Sequence, residues 1–136
     1  MLDGSPLAIL GLYSPNSNQY SFLNTLDGIL EHTMGVPLVT CGDFNCVSDV
    51  HLDRSHPPLQ GAQAHKSAAD VSRWMDNWHL LDTWRSSHPL EHEYTFYSHV
   101  HKLHTRIDMV MTSACMGGRV QSAEILPRTY SGHNTV

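Results

Sequence analysis

Two short apolar runs, residues 7–13 (LAILGLY) and 36–41 (VPLVTC), flank a stretch of different periodicity, and this alternation restricts the fold more than any other feature of the chain. The first run ends on Ser14-Pro15-Asn16 and reads as a buried strand and its turn. Between the runs, Phe22, Leu23, Leu26, Ile29 and Leu30 recur at helical spacing, which predicts a helix over 18–34 capped by Ser17 or Asn18. The second run, also read as a buried strand, stops on Gly42-Asp43-Phe44-Asn45. Residues 46–64 hold prolines, glycine and polar side chains and read as a long loop, of a length that often carries function. Helical spacing returns over 65–79 at Ala68, Val71, Trp74, Met75 and Trp78. Extended pieces follow at 80–84, 94–97 and 106–111, and a weakly alternating one at 120–126. Strand, helix, strand, loop, helix and further strands form an α/β pattern without internal repeat or flexible linker.

The 136 residues fit a single domain, although two facing sheets usually need a longer chain. No apolar run is long enough to span a bilayer, so no membrane partner is predicted. Residues 1–10 lack a basic start and a long apolar stretch, which predicts an intracellular chain. Cys41, Cys46 and Cys115 are odd in number and include no Cys-x-x-Cys pair, which argues against a disulfide scaffold and a zinc knuckle. The net charge of −5 counts against a dedicated nucleic-acid binder. It counts less against an enzyme that cuts phosphodiesters, whose catalytic carboxylates enter the same sum.

A buried strand ending in Gly42-Asp43-Phe44-Asn45 sets a carboxylate and a carboxamide two residues apart at a sheet's edge. Phosphodiester hydrolysis needs such groups: a carboxylate to take a proton from water, and an amide to fix that water or the phosphate. A plain turn is the alternative, since Gly, Asp and Asn favour turns. Asp108 alternates with apolar Ile107 and Met109, and a carboxylate there needs a partner. Either a histidine imidazole or a neighbouring arginine such as Arg106 can serve. Ser131-Gly132-His133 supplies one candidate among eleven histidines.

The motifs gain meaning from their order. Tyr13-Ser-Pro-Asn16, Gly42-Asp43-Phe44-Asn45, Leu52-Asp53-Arg54, Leu81-Asp-Thr-Trp-Arg85, His88-Pro89, Tyr94-Thr-Phe-Tyr-Ser98, Thr105-Arg-Ile-Asp108 and Ser131-x-His133 follow one another along nearly the whole chain. This series resembles the endonuclease domain of LINE-type (non-LTR) retrotransposon polyproteins, a branch of the endonuclease/exonuclease/phosphatase superfamily related to abasic-site endonucleases and DNase-I-like nucleases. The Trp-Arg…His-Pro and Tyr-Thr-Phe-Tyr-Ser segments favour the retrotransposon branch over the repair branch.

The resemblance implies the C-terminal portion of a four-layer α/β sandwich, two facing sheets with helices outside, with residues 1–136 forming a partial domain. It implies Mg²⁺-dependent nicking of DNA, a nuclear location for a functional protein, and a reverse transcriptase downstream in the full polyprotein. By residue-for-residue match, Asp43 and Asn45 resemble the water-activating carboxylate and its transition-state partner. Asp108 resembles the residue that orients the catalytic histidine, here His133. Tyr13, Asn16 and Thr95 resemble phosphate-contacting positions, and Arg54 an arginine near the site. Two departures strike the metal. The family's N-terminal strands, with an early asparagine and a metal-binding glutamate, find no counterpart, and Gly132 stands where the family has aspartate. No complete metal site is therefore expected, and catalysis should be impaired. A non-catalytic remnant of a decayed element, or another phosphoesterase of the superfamily, is the alternative reading.

Three further features admit two readings each. His99, His101 and His104 suit either a metal site or a DNA-facing loop. Trp74, Trp78 and Trp84 suit either base stacking or the core, with helical spacing favouring the core for the first two. Arg54, Arg85, Lys102 and Arg106 suit either a DNA groove or scattered surface charge.

Overall fold

The computed structural model describes residues 4–127 and 132–136. Strand β1 (Ala8–Tyr13) leads through α1 (Gln19–Leu30) and a 3-10 turn (Glu31–Thr33) to β2 (Leu38–Asp43). After the long loop come α2 (Gln63–Asn77), β3 (Leu80–Asp82), the short α3 (Thr83–Ser87), β4 (Phe96–Ser98), β5 (Leu103–Thr105) and β6 (Asp108–Ser113). Four strands form one sheet in the order β1-β2-β6-β3, and β4 pairs with β5 alone. The β1–β2 pair is parallel, because α1 carries the chain back over the sheet, while β6 runs antiparallel to both β2 and β3.

Both long helices cover one face of the larger sheet. Leu23, Leu26 and Leu30 of α1 and Val71 and Trp74 of α2 pack on Leu38, Leu80, Met109 and Met111, with Ala8, Leu10 and Leu12 at the margin. Each large side chain buried there contributes about 1.5–3 kcal/mol. The Asp27 carboxylate accepts both the Trp74 and the Trp78 indole N–H, at 2.9 and 2.6 Å, which joins α1 to α2. Trp74 and Trp84 are core residues, Trp84 flanked by the Arg85 and Arg106 guanidiniums, so neither is available to stack on bases.

The opposite face differs from the sequence reading. Strand β1 was expected to be buried, yet Ile9 and Tyr13 are 71% and 72% exposed. They alternate with Leu10 and Leu12, which the helices cover; on the other side Thr112 is buried and the segment His133–Val136 lines a hollow with Cys41 and Val110, so the exposure is greatest at the β1 edge.

Several element boundaries also shift. Strand β2 runs on through Gly42 and Asp43 instead of stopping at Cys41. Asn18 enters α1 with φ 64° and no side-chain cap bond. The helix entry is held instead by the Gln19 side-chain amide donating to Pro15 O at 2.9 Å. Thr83 and Trp84 begin α3, because the Asp82 carboxylate caps it by accepting the Arg85 N–H at 3.0 Å. Strand β5 was not predicted. The expected strand over 120–126 is absent: β2 and β3 already occupy both edges of β6, and Leu126 makes only an isolated bridge to Thr135.

Candidate active site

The end of the four-stranded sheet sets three side chains in one row. Register places Tyr13 beside Asp43 across β1–β2, and Asp43 directly opposite Asp108 across β2–β6. All three lie on the face opposite the two long helices. Two carboxylates opposed on antiparallel strands repel each other. Burial first, and then the charge of Asp108, raises the Asp43 carboxyl above its ordinary value, against the opposing pull of the Asn45 N–H and His133.

Gly42 makes this row possible. Its φ is 148°, and a Cβ at that position collides with the backbone carbonyl of Leu12. Glycine therefore allows β1 to approach β2 at the residue before Asp43. The chain turns immediately afterwards. Asn45 adopts φ 49°, a conformation asparagine tolerates better than most residues. Its backbone N–H donates to Asp43 Oδ1 at 2.8 Å, and its Nδ2 donates to Ser14 O at 2.6 Å. The tetrapeptide is thus strand in its first half and turn in its second.

His133 completes the group. Its Nδ1 lies 2.8 Å from Asp108 Oδ2, and its ring packs on Phe96 with centroids 4.6 Å apart. A carboxylate in its ionised form only accepts, and in that form the proton of this bond sits on Nδ1. Asp43, Asp108 and His133 each offer one ligand atom within 4.8 Å of the other two, and no other such group occurs among the described residues. His99, His101 and His104 do not converge in such a group. Ser131 lies outside the described residues. Gly132 is exposed, and a Cβ there meets nothing within 4 Å.

The other expected residues fall into two sets. Asn16, Asn45 and Arg54 share a hollow of about 270 Å³ with Phe96, Thr105 and Ile107. Thr95 is not open to a ligand. It is 1% exposed, and its hydroxyl accepts the backbone N–H groups of both Ile107 and Asp108 at 3.1 Å, so the phosphate contact expected of it gives way to a structural one.

Arg106 is not the partner of Asp108. It is fully buried, and donates to Asp53 Oδ1 at 2.8 Å, Asp53 Oδ2 at 3.0 Å and Asp82 Oδ2 at 2.6 Å. Arg85 joins at 2.5 Å from Asp53 Oδ1. Burial pushes the Asp53 carboxyl up, but the bonds and charges of Arg106 and Arg85 outweigh it and hold Asp53 below the ordinary value. These two arginines are therefore withdrawn from any DNA groove. Leu-Asp-Arg and Arg-Ile-Asp were visible as motifs, yet a pairing across 53 positions leaves no local signal.

No family model matches the chain. Its structure resembles an AP endonuclease from Archaeoglobus fulgidus, with TM-score 0.67 and 20% identity over 82% of this chain and 51% of that one. It also resembles the AP endonuclease LMAP from Leishmania major, with TM-score 0.79 and 16% identity over 97% and 49%. A third likeness is to the 3′ phosphatase NExo from Neisseria, solved bound to product DNA hairpin, with TM-score 0.73 and 19% identity over 93% and 58%. At these identities the likeness shows the fold: the α/β architecture of DNase-I-like AP endonucleases. The chain spans about half the length of the structures it matches, 49% to 58%.

Proposed function

We propose that this chain is part of a DNA endonuclease that hydrolyses a phosphodiester with the help of a divalent ion, of the kind found in LINE-type retrotransposon polyproteins. The observation that carries the reading is the His133–Asp108 pair at 2.8 Å facing Asp43 across one sheet end. The ordered motif series supports the retrotransposon branch, together with a downstream reverse transcriptase and a nuclear site of action.

In this reading Asp43 takes the proton of the attacking water, and its raised pKa makes it the better acceptor. Asp108 fixes the His133 tautomer and stabilises the ring once it is charged, so that Nε2–H donates to a phosphoryl oxygen. Asn45, pinned to Ser14, lines the hollow beside the reacting centre with Asn16 and Arg54. Hydrolysis forms a bond from the water oxygen to phosphorus and breaks the bond to the leaving sugar oxygen, which takes a proton from solvent water and departs as a 3′-hydroxyl, while Asp43 later returns its proton to solvent.

Asp108 is the residue fit to hold Mg²⁺ directly: one of its oxygens is committed to His133 and the other would face the ion. Asp43 would assist by its charge, since one of its oxygens is committed to the Asn45 N–H and the other takes the water proton. Mg²⁺ commonly binds through one or two carboxylates with water and phosphate. When bound, the ion offsets charge that builds on the phosphate, worth several kcal/mol. Gly132 adds no ligand, so the set is lean and the chain as it stands is impaired.

The test is nicking of supercoiled plasmid across Mg²⁺ concentrations. Four forms are compared: this chain, its Gly132→Asp variant, and both of these completed by a matching N-terminal half of the fold. Only the completed Gly132→Asp form should cut at full rate, and His133→Ala should abolish that cutting. Absence of His133-dependent cutting in that form overturns the functional reading. Equal rates with Gly132 and with Asp show instead that glycine is tolerated.

A further inference from the structure

Asn134 directly follows His133 and uses two donors on consecutive carbonyls. Its backbone N–H donates to Thr95 O at 2.6 Å, and its Nδ2 donates to Tyr94 O at 2.9 Å. Thr95 in turn reaches the other partner of the catalytic pair. Its buried hydroxyl accepts the N–H groups of Ile107 and Asp108, while its own N–H donates to Thr105 O at 3.0 Å. Phe96, the next residue, bridges His133 along the backbone and lies against its ring. Three consecutive residues, Tyr94 to Phe96, thus form a strip bonded on one side to the His133 segment and on the other to the start of β6.

We propose that Asn134 and Thr95 are positioning residues that set the His133 ring against the Asp108 carboxylate. The inference rests on the functional reading above only for its catalytic consequence; the splice itself is a statement about geometry. The two halves of the pair are 25 positions apart in sequence. Gly132 precedes His133 and gives the backbone freedom on that side. The clamp on the other side is Asn134, whose two bonds restrict translation and rotation of the segment together. Thr95 supplies what a hydrophobic residue of the same shape cannot: one oxygen that takes two backbone donors and fixes the strand end carrying Asp108. Small misplacement of such a pair is costly.

The readout is the tautomer of the His133 ring, taken from ring ¹⁵N shifts of the ¹⁵N-histidine-labelled full chain at a pH that keeps imidazoles neutral. A free imidazole prefers the Nε2–H form. Held to Asp108, His133 should be chiefly Nδ1–H. Asn134→Ala and Thr95→Val should return it to the Nε2–H majority, whereas Thr95→Ser, which keeps the hydroxyl, should retain the Nδ1–H form. His88, whose Nδ1 contacts Trp84 O at 3.1 Å elsewhere in the fold, serves as the internal control and should not change. Retention of the Nδ1–H form in Asn134→Ala overturns the proposal, and that variant decides the matter if Thr95→Val does not fold. If the tautomer shifts but the completed domain nicks at an unchanged rate, the splice stands and the functional reading fails.

Discussion

Asp43 shows at the scale of one residue how the site costs stability. Its carboxylate sits half-buried opposite a second carboxylate, and its pKa is raised. A folded-state value above the unfolded one means that ionisation disfavours the folded chain. The cost is absent below the ordinary Asp range, near ~3.9, and grows as pH rises toward the folded value. Asp43→Asn should therefore raise Tm by a few degrees at neutral pH, with the difference closing in acid, while nicking by the completed domain is lost. Thermal melts of both proteins from pH 3 to 7 check this; a variant that melts lower at pH 7 contradicts it. Gly42 is constrained differently. Gly42→Ala introduces a clash with the Leu12 carbonyl and a disfavoured φ, and should destabilise by roughly 1–3 kcal/mol, read from chemical denaturation. Asp43 and Asn45 were legible in the sequence because their relation is local. The link between Asp108 and His133 became legible only from the order of eight motifs. The roles of Asn134 and Thr95 were not legible, because hydrogen bonds made to backbone groups impose no recognisable side-chain pattern.

Among the elements, the loop after β2 behaves unlike its sequence. Its prolines and polar residues announced an irregular segment, and between Asp43 and Gln63 neither helix nor strand forms. Yet the loop is anchored through Asp53, which ties it to α3 through Arg85 and to the residues preceding β6 through Arg106. Removing one partner from such a buried set leaves the others uncompensated, and Asp53→Asn should cost about 3–5 kcal/mol. The pH dependence runs opposite to that of Asp43. The Asp53 pKa is lowered by folding, so its contribution is fully present above the ordinary Asp value and is lost as pH falls through the folded one. Urea titrations at pH 7 and pH 3 should show a large gap between parent and variant that narrows in acid; a constant gap counts against the network. Long helices were legible from periodicity, since α1 and α2 each bury one stripe. The short pieces were not. Helix α3 depends on one capping carboxylate, and β5 on finding β4 across a turn where Lys102 has φ 49°.

For the molecule as a whole, the exposed β1 edge of the sheet sets behaviour in solution. Ile9 and Tyr13 of β1 are exposed on the face opposite the two long helices, with Val39 and Cys41 partly exposed beside them. An open edge strand that carries apolar side chains favours association. Sedimentation velocity should show concentration-dependent self-association of the chain that Ile9→Lys reduces; a monomer at all concentrations excludes it. The fold class was legible from the alternation of runs, whereas the exposure of Ile9 and Tyr13 was not, because β1 reads equally well as covered on both sides. The interior ion set has a separate consequence for the outside. It balances two guanidiniums against two carboxylates, so it removes basic groups from the surface without changing the net charge of −5 that a distant polyanion meets. At long range, then, the protein repels DNA, and the repulsion weakens as the ionic atmosphere contracts, from a Debye length of about 30 Å at 0.01 M to about 10 Å at 0.1 M salt. Added salt should first accelerate the encounter with DNA and only afterwards weaken it, a rise and fall that basic DNA-binding proteins, slowed by salt from the outset, do not show.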